Sequence, residues 1–122
     1  MNYTITEINN LIVYINSDDI LISDTQSALD LMMTVNYEKS CSRIIIDKKN
    51  ICEEFFILSS GIAGEILQKF INYHIKMAVI GDFSKYTSKP LHDFIYECNR
   101  GRDFFFVNNL EQAMEKLLNS RK

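Results

Sequence analysis

Three stretches decide the fold: Arg43-Ile44-Ile45-Ile46-Asp47, Leu58-Ser59-Ser60-Gly61-Ile62-Ala63-Gly64-Glu65 and Lys76-Met77-Ala78-Val79-Ile80. The first and third are apolar runs of strand length with polar flanks, the pattern of strands buried on both faces of a parallel sheet. Between them Ile62, Ile66, Leu67, Phe70 and Ile71 recur at helical spacing, and the pattern reaches Tyr73. Strand, helix and strand in this order predict a parallel pair joined by a right-handed crossover.

The same alternation extends outward. Downstream, Ser88 is placed to cap a helix with Pro90 in its first turn and Leu91, Phe94, Ile95 and Cys98 on one face. Gly101 suits a left-handed C-terminal position. Phe104-Phe105-Phe106-Val107 reads as the last strand, and Asn108 or Asn109 opens a helix carrying Leu110, Ala113, Met114, Leu117 and Leu118. Upstream, Ser23 with Gln26 three residues on predicts a capping box. Ala28, Leu29, Met32, Met33 and Val35 follow as core. Tyr3–Ile8 and Leu11–Ile15, joined at Asn9-Asn10, read as a hairpin. Lys48-Lys49-Asn50 reads as a loop and Cys52–Phe56 as a short helical turn that returns Phe55 and Phe56 to the core. The predicted class is α/β, one domain over residues 1–122. Its mixed, mostly parallel sheet has four or five strands in the order β-β-α-β-α-β-α-β-α, with about four helices mainly on one side.

Composition narrows the function. The net charge is −3, and the 13 basic residues are scattered, with small spots only at Lys48-Lys49 and the tail ending Arg121-Lys122. Nucleic-acid binding calls for a basic stripe, so it is not expected. The N-terminus lacks the basic and apolar regions of a signal peptide, and no apolar stretch approaches membrane-spanning length, so a cytoplasmic location without membrane contact is expected. Cys41, Cys52 and Cys98 are odd in number and lack a Cys-x-x-Cys spacing, so they read as free thiols. Cys98 reads as core. His74 and His92 have no matching partners in sequence, so neither a metal site nor a hydrolytic triad is expected, and no cofactor is implied.

The long motif Gly61-x-Ala63-Gly64-Glu65-Ile66-Leu67-Gln68-Lys69-Phe70-x-Asn72-Tyr73, with Gly81-Asp82-Phe83-Ser84 and Phe94-Ile95-Tyr96-Glu97-x-Asn99-x-Gly101, resembles the bacterial domain-of-unknown-function family 4180. That resemblance implies no activity. More distantly, Ile44–Asp47 followed by Ser59-Ser60-Gly61-Ile62 and a helix is similar to STAS domains, the anti-sigma-factor antagonists and transporter modules. This likeness implies a STAS-like domain, with Ser60 at the position of the antagonists' phosphorylated serine. Leu58 stands where the STAS motif carries aspartate.

The candidate regulatory residues are Ser59, Ser60, Gly61 and Gly64, with the neighbouring Asp82, Phe83 and Ser84. A phosphate at Ser60 would bring about −1.5 to −2 charges to a helix N-terminus. A simple helix cap at Ser59 or Ser60 is the plain alternative, as is close packing for Gly61, Ala63 and Gly64. The function expected first is a non-enzymatic regulatory or protein-interaction module with an unidentified protein partner. The alternative is a small-ligand-binding protein or enzyme using Asp82, Glu65 and Glu97 at the carboxyl edge of the sheet, with Ser84 converging on them and Asn99 and Arg100 beside Glu97. A homo-oligomer formed through exposed aromatics such as Tyr86 and Tyr96 is a third possibility.

Overall fold

A computed structural model describes residues 3–9 and 11–119. The predicted hairpin turn at Asn10, the N-terminal Met1-Asn2 and the basic tail from Ser120 lie outside the described residues.

The described chain runs β1 (Thr4–Asn9), β2 (Ile12–Asn16), α1 (Thr25–Lys39), β3 (Arg43–Asp47), α2 (Ile62–Asn72), β4 (Lys76–Ile80), α3 (Lys89–Arg100), β5 (Phe104–Val107) and α4 (Leu110–Asn119). Three 3-10 turns, Lys48–Asn50, Glu53–Phe56 and Leu58–Ser60, link β3 to α2. The element order is the predicted one. The strands form one five-stranded sheet in chain order, β1 antiparallel to β2 and the remaining pairs parallel.

The two faces of the sheet are unequal. Val13, Ile15, Ile44, Ile46, Met77, Val79, Phe104 and Phe106 point to one face, where residues of α1, α2 and α3 join them in the larger core. Ile12, Ile45, Ala78, Phe105 and Val107 point to the other, packed with Ala113 and Leu117 of α4. Alternation along each strand divides the isoleucines and phenylalanines between these layers. All of the chain's eight phenylalanines except Phe105 share one chain of ring contacts on the larger side, with Phe106 touching Phe55, Phe56, Phe83, Phe94 and Phe104.

The helix ends follow local chemistry, with corrections to the sequence reading. Ser88 caps α3 by accepting from Leu91 N, and Asn109 accepts from Gln112 N at the start of α4, both as expected. The cap of α1 is Asp24, not Ser23: its carboxylate accepts from Ser27 N at 2.8 Å, while Ser27 Oγ accepts from Asp24 N at 3.1 Å. Both residues are good caps, but Asp24 has the hydroxyl of Ser27 three positions on and closes the box in both directions. Gly101 is extended (φ −91°, ψ −150°) rather than left-handed, because the chain leaves α3 directly toward β5. Met33, expected in the core, is 42% exposed, while Met32, one position away on the helix, is fully buried.

Candidate functional site

The carboxyl edge of the parallel strands holds a connected polar cluster above the aromatic core. Strand β3 ends at Asp47 and delivers Lys48; β4 ends at Ile80 and delivers Gly81. The stem of Lys48 lies flat against Gly81, so a Cβ built on Gly81 would approach Lys48 Cβ to 2.6 Å. That contact accounts for the glycine that opens the Gly81-Asp82-Phe83-Ser84 motif. The Lys48 ammonium then sits 5.4 Å from the ring centre of Phe56 and 5.1 Å from that of Tyr86, and 3.4 Å from Glu53 Oε2. Tyr86 stacks on Phe56 at 5.1 Å with 17° between planes. The Tyr86 hydroxyl donates to Glu53 at 3.1 Å, and Lys85 reaches the same carboxylate at 3.5 Å and the Tyr86 ring at 5.2 Å.

The electrostatics follow from this packing. Burial, the Glu53 hydrogen bond and the Glu53 charge push the Tyr86 phenol up to about 12. Burial pulls Glu53 upward, but the Tyr86 hydroxyl and the two lysines outweigh it and hold the carboxyl below its ordinary range. The hydroxyl thus stays a donor and the carboxylate an acceptor across the neutral range. Nearby, Tyr14 donates to Asp47 at 2.7 Å, and burial with this bond raises its phenol to about 12.

Beside the cluster lies a groove of about 660 Å³ lined by Phe56, Ile57, Leu58, Ser59, Lys85, Tyr86, Thr87 and Pro90, among others. Its walls are the turn before α2 and the start of α3. His92, on the first turn of α3, contacts the Tyr86 carbonyl through Nε2.

The sequence-predicted residues fall into separate places. Ser59 is exposed on the groove. Ser60 is exposed, but its hydroxyl donates to Glu54 O at 2.9 Å and accepts from Ile62 N at 3.3 Å. The N-cap of α2 is Gly61, left-handed at φ 83°, with no side-chain cap. Close packing does not explain Gly61 or Gly64: a Cβ on either would meet nothing within 4 Å, whereas Ala63 between them is buried. Glu65 accepts from Thr25 Oγ1 at 2.8 Å and ties the starts of α1 and α2. Asp82 forms an Asx turn with Ser84 N at 2.9 Å, and Ser84 holds its carboxyl below the ordinary range. Phe83 is a partly buried ring packed on the core against Phe56 and Phe106.

Glu97 does not join Asp82 and Ser84, and Glu65 is engaged with Thr25 of α1. Glu97 lines a groove with Asp103 and Phe104 at the start of β5, whereas Asp82 follows the end of β4. In a parallel pair these are opposite edges. Asn99 is structural: its amide donates to Phe106 O at 3.1 Å and accepts from Phe106 N at 2.8 Å. Burial and the charge of Glu97 raise the Cys98 thiol to about 12, which fits a core position and not a nucleophile. Tyr86, expected as an exposed aromatic, is half-buried in the cluster, while Tyr96 is 60% exposed with Arg100 over its ring.

Sequence reading takes Lys48 as part of a small basic spot and Tyr86 as an exposed aromatic, and does not bring Lys48, Glu53, Lys85 and Tyr86 together. They are 5, 32 and 33 residues apart in their contacts, and only the topology gathers them. Glycine immediately after a buried strand was the available signal, because it marks a close approach.

A family model described as a domain of unknown function, DUF4180, matches residues 7–117. The chain belongs to this family. Every element except the first residues of β1 and the end of α4 lies within the match. Neither the comparison with curated proteins nor that with solved structures finds a match. Among the described residues of this DUF4180 domain, no three His, Cys, Asp or Glu side chains gather as a metal site would, and no helix is long and apolar enough to cross a membrane.

Proposed function

We propose that this domain is a non-enzymatic regulatory module that binds another protein through the groove beside the Leu58–Gly61 turn and is switched by a hydroxyl of that turn. The observation that carries this reading is the exposed Ser59 side chain in a groove shared with Ile57, Leu58, Tyr86, Pro90 and Lys85. The partner is a protein segment with apolar side chains for Ile57 and Leu58 and an acidic neighbour for Lys85.

The similarity of Ser59-Ser60-Gly61-Ile62 to the STAS turn motivates the switch. The two serines would act differently. A phosphate on Ser60 removes the donor that holds Glu54 O, so it loosens the turn while adding charge at the start of α2. A phosphate on Ser59 leaves that bond intact and recharges the groove wall. Affinity purification of tagged wild type, Ser59→Asp and Ser60→Asp from the native host, with mass spectrometry of the turn, tests the reading. The expected result is a specific partner retained by wild type and lost or gained with one aspartate variant. Absence of any specific partner, with both serines unmodified, would overturn it.

Ligand binding by carboxylates at the carboxyl edge is a second reading, and one observation favours it: Glu53 is kept ionised there by Tyr86, Lys48 and Lys85. A bound small molecule lost on Glu53→Gln, with the protein partner unaffected, would select it.

A further inference from the structure

We propose that the outer edge of β1 pairs with the β1 edge of a second copy of this chain, antiparallel about a two-fold axis at Thr6, making one continuous sheet.

The two edges of the sheet are treated differently. Strand β5 gives Asp103 O and Val107 O to β4, so Phe106 presents its backbone outward. The Asn99 side chain takes both groups of Phe106 and so covers that edge at Phe106. At β1, no side chain among the described residues bonds the outer backbone; Asn9 turns inward to Leu11 N and Ile12 N. The strand Thr4-Ile5-Thr6-Glu7-Ile8-Asn9 also lacks the proline, lysine or arginine that commonly guard an edge, and its one irregularity comes late, between Glu7 and Asn9.

The occupant follows from charge and register. A two-fold axis at Thr6 sets Thr6 opposite Thr6, Ile5 opposite Glu7, and Thr4 opposite Ile8. Threonine pairs favourably with threonine across strands, and the single charge of the strand never faces itself. Side chains alternate, so Glu7 lies on the same face as Tyr3 and Ile5, which pack against the larger core. Beside Ile5 runs a groove of about 570 Å³ lined by Tyr3, Thr4, Thr34, Glu38 and Lys39. Pairing sends Glu7 of the second copy toward that groove, where Glu38 and Lys39 both lack an ion-pair partner among the described residues, so the contact it makes there is with the Lys39 ammonium and Glu38 must turn aside. The symmetry makes this contact twice. Centring the axis on Glu7 would instead oppose two carboxylates.

Sedimentation equilibrium of the full chain from micromolar to sub-millimolar concentration tests the pairing. Wild type is expected to reach twice its 14.2 kDa mass. Thr6→Lys puts two ammonium groups on the axis and is expected to weaken dimerisation by about tenfold or more. Thr6 is exposed and its hydroxyl only accepts a long, exposed bond from Asn16 Nδ2 at 3.4 Å, so the circular-dichroism melt of the dilute protein should change little. In a Cys52→Ser background, Thr6→Cys is expected to form an interchain disulfide on oxidation. Thr4→Cys is not, since its two copies would lie roughly 13 Å apart along the strands, beyond disulfide reach. Cys41 and Cys98 are buried and do not compete. A monomer at every concentration overturns the proposal. So does a dimer that ignores Thr6→Lys and yields no Thr6→Cys cross-link. The test does not depend on the groove beside Ser59, because no residue of β1 lines it.

Discussion

At the scale of single residues, three of the four glycines separate into different roles. Gly61 holds a left-handed φ of 83°, Gly64 faces open space, and Gly81 exists for Lys48. The last case is the sharpest. An added methyl would meet Cβ of Lys48, which is tied to the end of β3 and cannot swing away as the tip of a long side chain could. Gly81→Ala is therefore expected to cost about 1–3 kcal/mol in urea unfolding, the usual range for overpacking. It should also lift Lys48 from the rings of Phe56 and Tyr86. The double variant Gly81→Ala with Lys48→Gly removes the Cβ of Lys48 as well, so its loss should be smaller than the sum of the two single losses. A Gly81→Ala protein as stable as wild type would show that the stem does not pack there. In the sequence the sign of this was that Gly81, unlike Gly64, directly follows a buried strand; the partner, Lys48, lies 33 residues away and was not legible.

At the scale of elements, the strands and helices were legible because each was written in one period. Apolar runs of three or four residues marked β3, β4 and β5, and helical spacing marked the segments between them. The ends were less legible, because neighbouring residues compete for the same role. Ser23-Asp24-Thr25-Gln26-Ser27 holds two possible capping boxes one residue apart. Asp24 wins because a charged acceptor and a hydroxyl partner satisfy each other, while the Gln26 side chain is spent on Asp30. Asp24→Ala is thus expected to destabilise the fold by about 1 kcal/mol, and Ser23→Ala to change it by a few tenths at most. Thermal unfolding of the two variants side by side decides it: an equal loss from both would restore Ser23 as a cap. The candidate site was illegible for a different reason. Lys48, Glu53, Lys85 and Tyr86 are ordinary polar residues on two connections, and the parallel register of β3 and β4 alone brings those connections together.

At the scale of the whole molecule, three helices serve one face of the sheet and a single helix serves the other. The larger face has redundancy, since its ring network offers Phe106 five aromatic neighbours. The smaller face has little. Ile12, Ile45, Ala78, Phe105 and Val107 depend for burial on Ala113 and Leu117 of α4, helped by partly buried Ile8, Tyr14, Ile80 and Met114. The last turn of α4 is held from the sheet by Arg43 Nε, which donates to Leu117 O at 2.9 Å. Leu117→Ala leaves that backbone bond in place and removes only the side chain that covers the strands. It is expected to cost about 2–5 kcal/mol, the range for a fully buried leucine. The adjacent Leu118 is 37% exposed, so Leu118→Ala is expected to cost well under half as much. Urea midpoints at constant slope measure both. Equal losses would mean that α4 rests on the sheet through its whole apolar surface. A large loss from Leu117 alone would mean that one side chain at the end of the chain's last helix secures the burial of the second face.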